Sequence, residues 1–154
     1  MESIVKEYVE SESKALSEKL KIDRIGKGYT LADVVNLIGI GEKQLISIEN
    51  NHRNSRLISC IKLGLLYGCS FKRLKELYPD VNFEVSSFDE KSKLINQKIC
   101  EYISSYRIKY KDMESLGVSA NQKRRIKNNR CIGVYTLLNY MFFIPDLDLT
   151  DIFN

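Results

Sequence analysis

The sequence has few residues that stop helices. Of 154 residues only 2 are proline, Pro79 and Pro145, and none is tryptophan. A chain with so few breakers leaves helical patterns uninterrupted over long stretches. A single histidine, His52, excludes catalysis by His pairs and most His-rich metal sites. The 4 cysteines, Cys60, Cys69, Cys100 and Cys131, are widely spaced and form no C-x-x-C, so zinc and redox motifs are not expected. Cys60 and Cys69 fall at apolar positions of the helical pattern and read as small buried hydrophobes. Residues Met1 to Glu7 lack the apolar core of a signal peptide. No apolar run approaches the ~20 residues of a membrane span. There is no phosphate-binding glycine loop and no Cys–His or Ser–His arrangement. The expectation is therefore a cytoplasmic protein that is not an enzyme, with no cofactor, metal, membrane or small-molecule substrate.

What is present is helical. An amphipathic stretch runs from Ile4 to Ile25, with Leu16, Leu20 and Ile25 as its core-facing residues. Thr30, followed by Asp33, reads as an N-cap. A short helix through Ile38 is stopped by Gly39, and a second covers Glu42 to Asn50. The polar loop 51–55 leads to an apolar helix, Leu57 to Tyr67, ended by Gly68. Ser70 is the expected cap of a helix through Tyr78. Residues 79–93 read as a linker, with a short strand over Val81, Phe83 and Val85, whose apolar residues should keep the two halves in touch. Helical pattern resumes at Leu94, where Ile95, Ile99 and Ile103 recur on one face. Short helices follow at Lys111 to Leu116 and Ala120 to Asn128. Val134 to Phe143 is apolar again, and Leu147 to Phe153 makes a final helical turn.

The chain repeats itself. Gly39 and Gly117, Gln44 and Gln122, and Ile48 and Ile126 are each 78 residues apart, and Asn50-Asn51 recurs as Asn128-Asn129. The apolar run after the loop recurs too. Two copies of one unit are the simplest account. Each unit reads helix, tight turn, helix, polar loop, apolar helix.

At this point a family is visible. The segments Gly28 to Ile40, Ile48 to Arg53, Lys62-Leu63-Gly64 and Gly68 to Phe71 resemble the phage Cro and lambda-repressor type of helix-turn-helix protein. The likeness spans about residues 16 to 78, and a second, more divergent copy spans about 94 to 154. The resemblance implies an all-α fold of two tandem five-helix lambda-repressor-like domains. These would be residues 1–78, with an extra N-terminal helix, and 94–154, joined by the linker 79–93. It also implies double-stranded DNA as partner, with recognition helices 42–50 and 120–128 in the major groove.

Positions one, two, five, six and nine of a short helix share a face. In the second unit they are Ala120, Asn121, Arg124, Arg125 and Asn128. Arginine pairs with guanine through two donors, and asparagine pairs with adenine through its amide. Lys127 and Arg130 flank this face and suit phosphates. Five basic residues and no acid lie between Ser119 and Arg130. In the first unit the same positions hold Glu42, Lys43, Ile46, Ser47 and Asn50. Glu42 would repel phosphate or accept from cytosine, and Ile46 would meet a thymine methyl or a protein. Leu31 and Gly41 stand where the family usually carries a DNA-contacting Gln and Ser. Arg53 remains as a phosphate ligand, and His52 reads as a solvated loop residue. Gln44 and Gln122, each third in its helix, either fix the helix pair or reach a phosphate. Lys123 departs from a position that is normally apolar.

Residues 1–85 hold 13 basic and 12 acidic side chains and residues 86–154 hold 11 and 8, so the +4 total divides into +1 and +3. The second unit is expected to supply more of the attraction to DNA. The functional expectation is a sequence-specific regulator of transcription. The competing one is a protein-interaction module that kept the fold and lost DNA binding in one unit or both. Homodimerisation through the extra helix, Ile4 to Ala15, stays open.

Overall fold

In the computed structural model of the chain, residues 2–51, 55–84, 87–106, 111–112, 118–128, 132–144 and 146–154 are described. Among them the fold is all-α, with nine helices and a single isolated β-bridge. They are α1 (Glu2–Gly26), α2 (Leu31–Ile38), α3 (Glu42–Glu49), α4 (Leu57–Leu66), α5 (Lys72–Leu77), α6 (Phe88–Ser105), α7 (Ala120–Lys127), α8 (Val134–Met141) and α9 (Leu149–Ile152).

Local chemistry explains most of the boundaries. Thr30 caps α2 through a capping box: its Oγ1 accepts from the Asp33 amide at 3.1 Å, and its own amide donates to Asp33 Oδ2 at 2.8 Å. Gly39 closes α2 in the left-handed region at φ 68°, which opens the tight turn into α3.

Other boundaries differ from expectation. Helix α1 is continuous and ends at Gly26; Leu16 and Leu20 are buried, but Ile25 is 58% exposed. Its neighbour Arg24 turns inward to pair with Glu49, and one residue on is about 100° round the helix. Ser70 does not cap α5. Its hydroxyl donates to the Asn154 backbone oxygen, and Phe71 begins the helix in the left-handed region at φ 52°. That conformation is strained for an aromatic residue. Full burial of the ring against Phe153, centroids 5.2 Å apart, offsets it. The strand expected over 81–85 does not form at 81–84, where Phe83 is buried without a ladder partner; Val85 lies outside the described residues. Helix α6 starts at Phe88, inside the expected linker, because Ser87 Oγ accepts from the Glu90 amide. The helix expected at Lys111 to Leu116 lies mostly outside the described residues.

Burial repeats along the chain. The eleven positions from Leu57 to Tyr67 show the same order of buried and half-buried residues as Val134 to Ile144, position by position. Ser13, Leu16, Ser17 and Leu20 on α1 are buried, as are Ser92, Ile95, Asn96 and Ile99 at the same spacing on α6.

The two halves interleave. Helix α1 packs on α3 of its own half but also on α8 and α9, while α6 packs on α7 of its own half and on α4 and α5. Tyr8 on α1 meets Phe142 edge-on at 5.5 Å, and Lys98 on α6 lies over the Tyr78 ring. One contiguous apolar core therefore runs through both halves.

The halves also join through their backbones. Arg56 and Gly133, the residues just before α4 and α8, form the antiparallel bridge. The Leu57 amide donates to Ile132 O at 2.9 Å, and the Val134 amide donates to Ser55 O at 2.8 Å. Neither helix has a side-chain cap. Each instead satisfies its first orphan amide on the other half.

The tail completes the junction. Phe153 is fully buried, and a Cβ on Gly64 would stand 3.2 Å from its ring. The Asn154 backbone oxygen also accepts from the Lys72 amide.

Candidate nucleic-acid interface

Helix α3 is short and firmly fastened. Leu45 and Ile48 are its buried anchors, at 0% and 1% exposed. Gln44 Nε2 donates to Ser59 Oγ on α4 at 2.8 Å. At the C-terminal end Arg24 grips Glu49 with two bonds, Nε to Oε2 at 2.8 Å and Nη2 to Oε1 at 2.9 Å. Its third donor reaches the Tyr29 backbone oxygen. The hydrogen bond to Glu49 raises the Arg24 pKa despite partial burial. The Tyr67 hydroxyl is buried beside this pair; burial pushes its pKa up and the Glu49 charge adds to the shift. A carboxylate at a helix C-terminus opposes the helix dipole, and the bidentate arginine neutralises it.

The outward side of α3 carries Glu42, Lys43, Ile46 and the capping residue Asn50, all exposed, with Ser47 half-buried. These bring one cation, one anion and an aliphatic side chain to the same face. Gly41 gives α3 no side-chain cap. Arg53 and His52 lie outside the described residues.

Helix α7 is built differently. Ser119 and Gln122 form a capping box: Ser119 Oγ accepts from the Gln122 amide at 3.2 Å, and Gln122 Oε1 accepts from the Ser119 amide at 2.9 Å. Val118, just before the helix, is buried, and within the helix only Ile126 is. Asn121, Lys123, Arg124, Arg125, Lys127 and Asn128 are exposed. Where α3 has the buried Leu45, α7 has Lys123 on the surface. Where α3 has the clamped Glu49, α7 has exposed Lys127. Four cations and no acid lie within eight residues. Arg130 lies outside the described residues.

Gln44 and Gln122 thus each spend a side-chain bond inside the protein. Two features escaped sequence reasoning. The Arg24–Glu49 clamp joins residues 25 apart with no motif between them. Arg56 sits exposed on the bridge between the halves. The only sequence signal for it is its alignment with Gly133 once the shortened second loop is allowed for.

Among the described residues no group of three or more His, Cys, Asp or Glu is placed to hold a metal ion. Of the cysteines described, Cys60 and Cys100 are buried and Cys69 is half-buried. Cys131 lies outside the described residues. No described helix is long and apolar enough to cross a membrane. Comparison of the chain with protein-family models, with curated proteins and with solved structures finds no match.

Proposed function

We propose that the chain is a sequence-specific double-stranded DNA-binding protein that regulates transcription. It would be built from two tandem lambda-repressor-like helix-turn-helix units and would use α3 and α7 as its reading helices. The observation that carries this is α7: eight residues, capped at its first turn, with four exposed cations, two exposed asparagines in and just after it, and no acid. A solvated helix face ordinarily mixes signs. A helix that presents arginines and asparagines together carries donors suited to guanine and adenine edges as well as charge for phosphates.

The Arg56–Gly133 bridge supports paired reading. The two bonds beside it are reciprocal and join matching points of the two halves. One chain would then do the work of a dimer and read two half-sites about one helical turn apart, ~34 Å.

Reversing Arg124→Glu and Arg125→Glu tests the reading. Duplex binding should fall more than about a hundredfold at moderate salt, because two base-facing arginines are lost and two anions are set against the duplex. Thermal unfolding should be unchanged, since both side chains are exposed. Unchanged binding by this variant would sink the assignment.

A second reading applies to the first unit alone, in which α3 meets a protein rather than DNA. Ile46 is 37% and Leu37 56% exposed near a face that also carries Glu42. Selection of bound sites from a random duplex pool separates the two readings. Two spaced half-sites favour DNA reading by both helices, and one short site favours α7 alone.

A further inference from the structure

A cleft opens between α5 and the segment 146–154. It holds about 380 Å³ and is lined by Lys72, Arg73 and Glu76 on one side and by Asp146, Asp151 and Asn154 on the other. One wall belongs to the first half and the other to the second. The walls are tied by backbone: the Lys72 amide and the Ser70 hydroxyl both donate to the Asn154 oxygen, at 3.4 and 3.2 Å. Their charges are left largely unspent. Lys72, Asp146 and Asp151 form no salt bridge among the described residues. Arg73 reaches Glu76 at 3.4 Å, with both side chains exposed, so that pair is weak. Tyr102 of α6 lies within range of both walls. Burial and its bond to Tyr106 push its pKa up to about 12, while Arg73 lowers it and Asp146 raises it.

We infer that this cleft binds a free basic α-amino acid, arginine or lysine. A simple anion would meet Lys72 and Arg73 but be repelled by Asp146, Asp151 and Glu76. A simple cation would meet the acids and be repelled by Lys72 and Arg73, and no described cluster is placed to hold a metal ion. An apolar ligand would find only charged and amide side chains around it. A molecule that carries both signs satisfies both walls. Its α-carboxylate pairs with Lys72 and Arg73, and its ammonium pairs with one of the aspartates. Three carboxylates face two cations in the lining, so one acid remains after a neutral amino acid has bound. A second cation at the end of the side chain takes that acid, and a guanidinium takes it with two parallel bonds. Because each half supplies one wall, the ligand binds only where the halves are docked, and it stabilises that arrangement. This site is separate from the reading helices and does not rest on their binding DNA.

The test titrates the full chain with arginine, lysine, alanine and agmatine, which is arginine without its carboxylate. Chloride is held constant, and backbone amide NMR shifts report where each ligand sits. Arginine and lysine should saturate with a dissociation constant of about 1 mM, as suits an open, charged site. The shifts should centre on Lys72, Arg73, Asp146 and Asp151. Alanine and agmatine should each bind about tenfold more weakly, since each lacks one charge-assisted contact. Lys72→Gln should cost arginine about tenfold and leave agmatine unchanged. Asp146→Asn combined with Asp151→Asn should weaken both ligands. The replaced side chains are exposed, so helix content should not change. Agmatine binding as tightly as arginine overturns the inference, because the acids alone would then account for it. An arginine affinity untouched by Lys72→Gln overturns it as well. So do shifts confined to other residues, or the absence of any saturable shift.

Discussion

Set side by side, α3 and α7 are both eight residues long, each has a buried apolar residue two places before its start, Ile40 or Val118, and each ends at an exposed asparagine. They differ in fastening and charge. Helix α3 is tied to α4 by Gln44 and to α1 by the Arg24–Glu49 clamp, over two buried aliphatic anchors. Helix α7 keeps one buried anchor and a capping box. Two of the residues that fasten α3 are replaced by cations in α7: Leu45 by Lys123, and Glu49 by Lys127. One backbone plan thus serves two ends, rigid placement in the first half and positive surface in the second.

Both helices stand on one core, so the largest effect should come from breaking what they share. Phe153→Ala empties a fully buried site between Phe71 and Gly64 and should cost about 3–5 kcal/mol. Denaturant unfolding followed by helix signal should then remain a single transition at a lower midpoint. Two separate transitions would show that the halves fold independently and would break the picture of interleaved helices.

The clamp comes next. Arg24→Met leaves Glu49 buried without its partner, and removing one member of a buried pair costs about 3 kcal/mol. Replacing both, Arg24→Met with Glu49→Leu, should recover most of that loss. A double variant as unstable as the single one would mean that Arg24 acts through packing or through its bond to Tyr29 rather than through the pair.

Much of this was legible in the sequence, and the reasons for the rest are physical. Caps, stops and apolar spacing are local, so Thr30, Gly39 and the α4 and α8 segments could be read directly. Ile25 misled because helical period alone cannot tell which residue a distant partner will claim; Arg24 took the inward position to meet Glu49. Ser70 misled because its hydroxyl bonds the Asn154 backbone oxygen rather than the start of the next helix. The reciprocal packing of α1 and α6 was out of reach, since the same apolar stripe suits a partner in either half. The candidate reading faces were legible because they are runs of exposed residues whose chemistry does not depend on partners.

A smaller experiment sharpens the contrast in fastening. Lys123→Leu restores to α7 the residue type that anchors α3. It should raise stability by about 1 kcal/mol, part of the value of a buried leucine. Amide exchange within Ala120–Lys127 should slow at the same time. Affinity for DNA should fall, because one of four cations is removed.

The smallest effect concerns charge within the second half, which is itself divided. Helix α7 is basic, while α9 begins beside Asp148 and Asp151, with Glu12 of α1 close by. The Asp148 and Glu12 pKa values are raised, first by burial and then by neighbouring carboxylates: Asp151 for Asp148, and both aspartates for Glu12. A carboxyl whose pKa is raised on folding binds its proton more tightly in the folded state. Its favourable contribution is complete below the unfolded pKa, near 3.8 for Asp148 and 4.5 for Glu12, and is lost as pH rises through the folded value. Asp151→Asn removes one source of repulsion, so the variant should lose less stability than the wild type as pH rises from about 4 toward neutrality. At pH 7 the gain should be about 0.3–0.5 kcal/mol, the size of a solvent-screened like-charge pair. Thermal unfolding across this range measures it. Parallel curves for the two proteins would show that Asp151 does not act on its neighbours, and that the acidic end of the second half is only solvated surface.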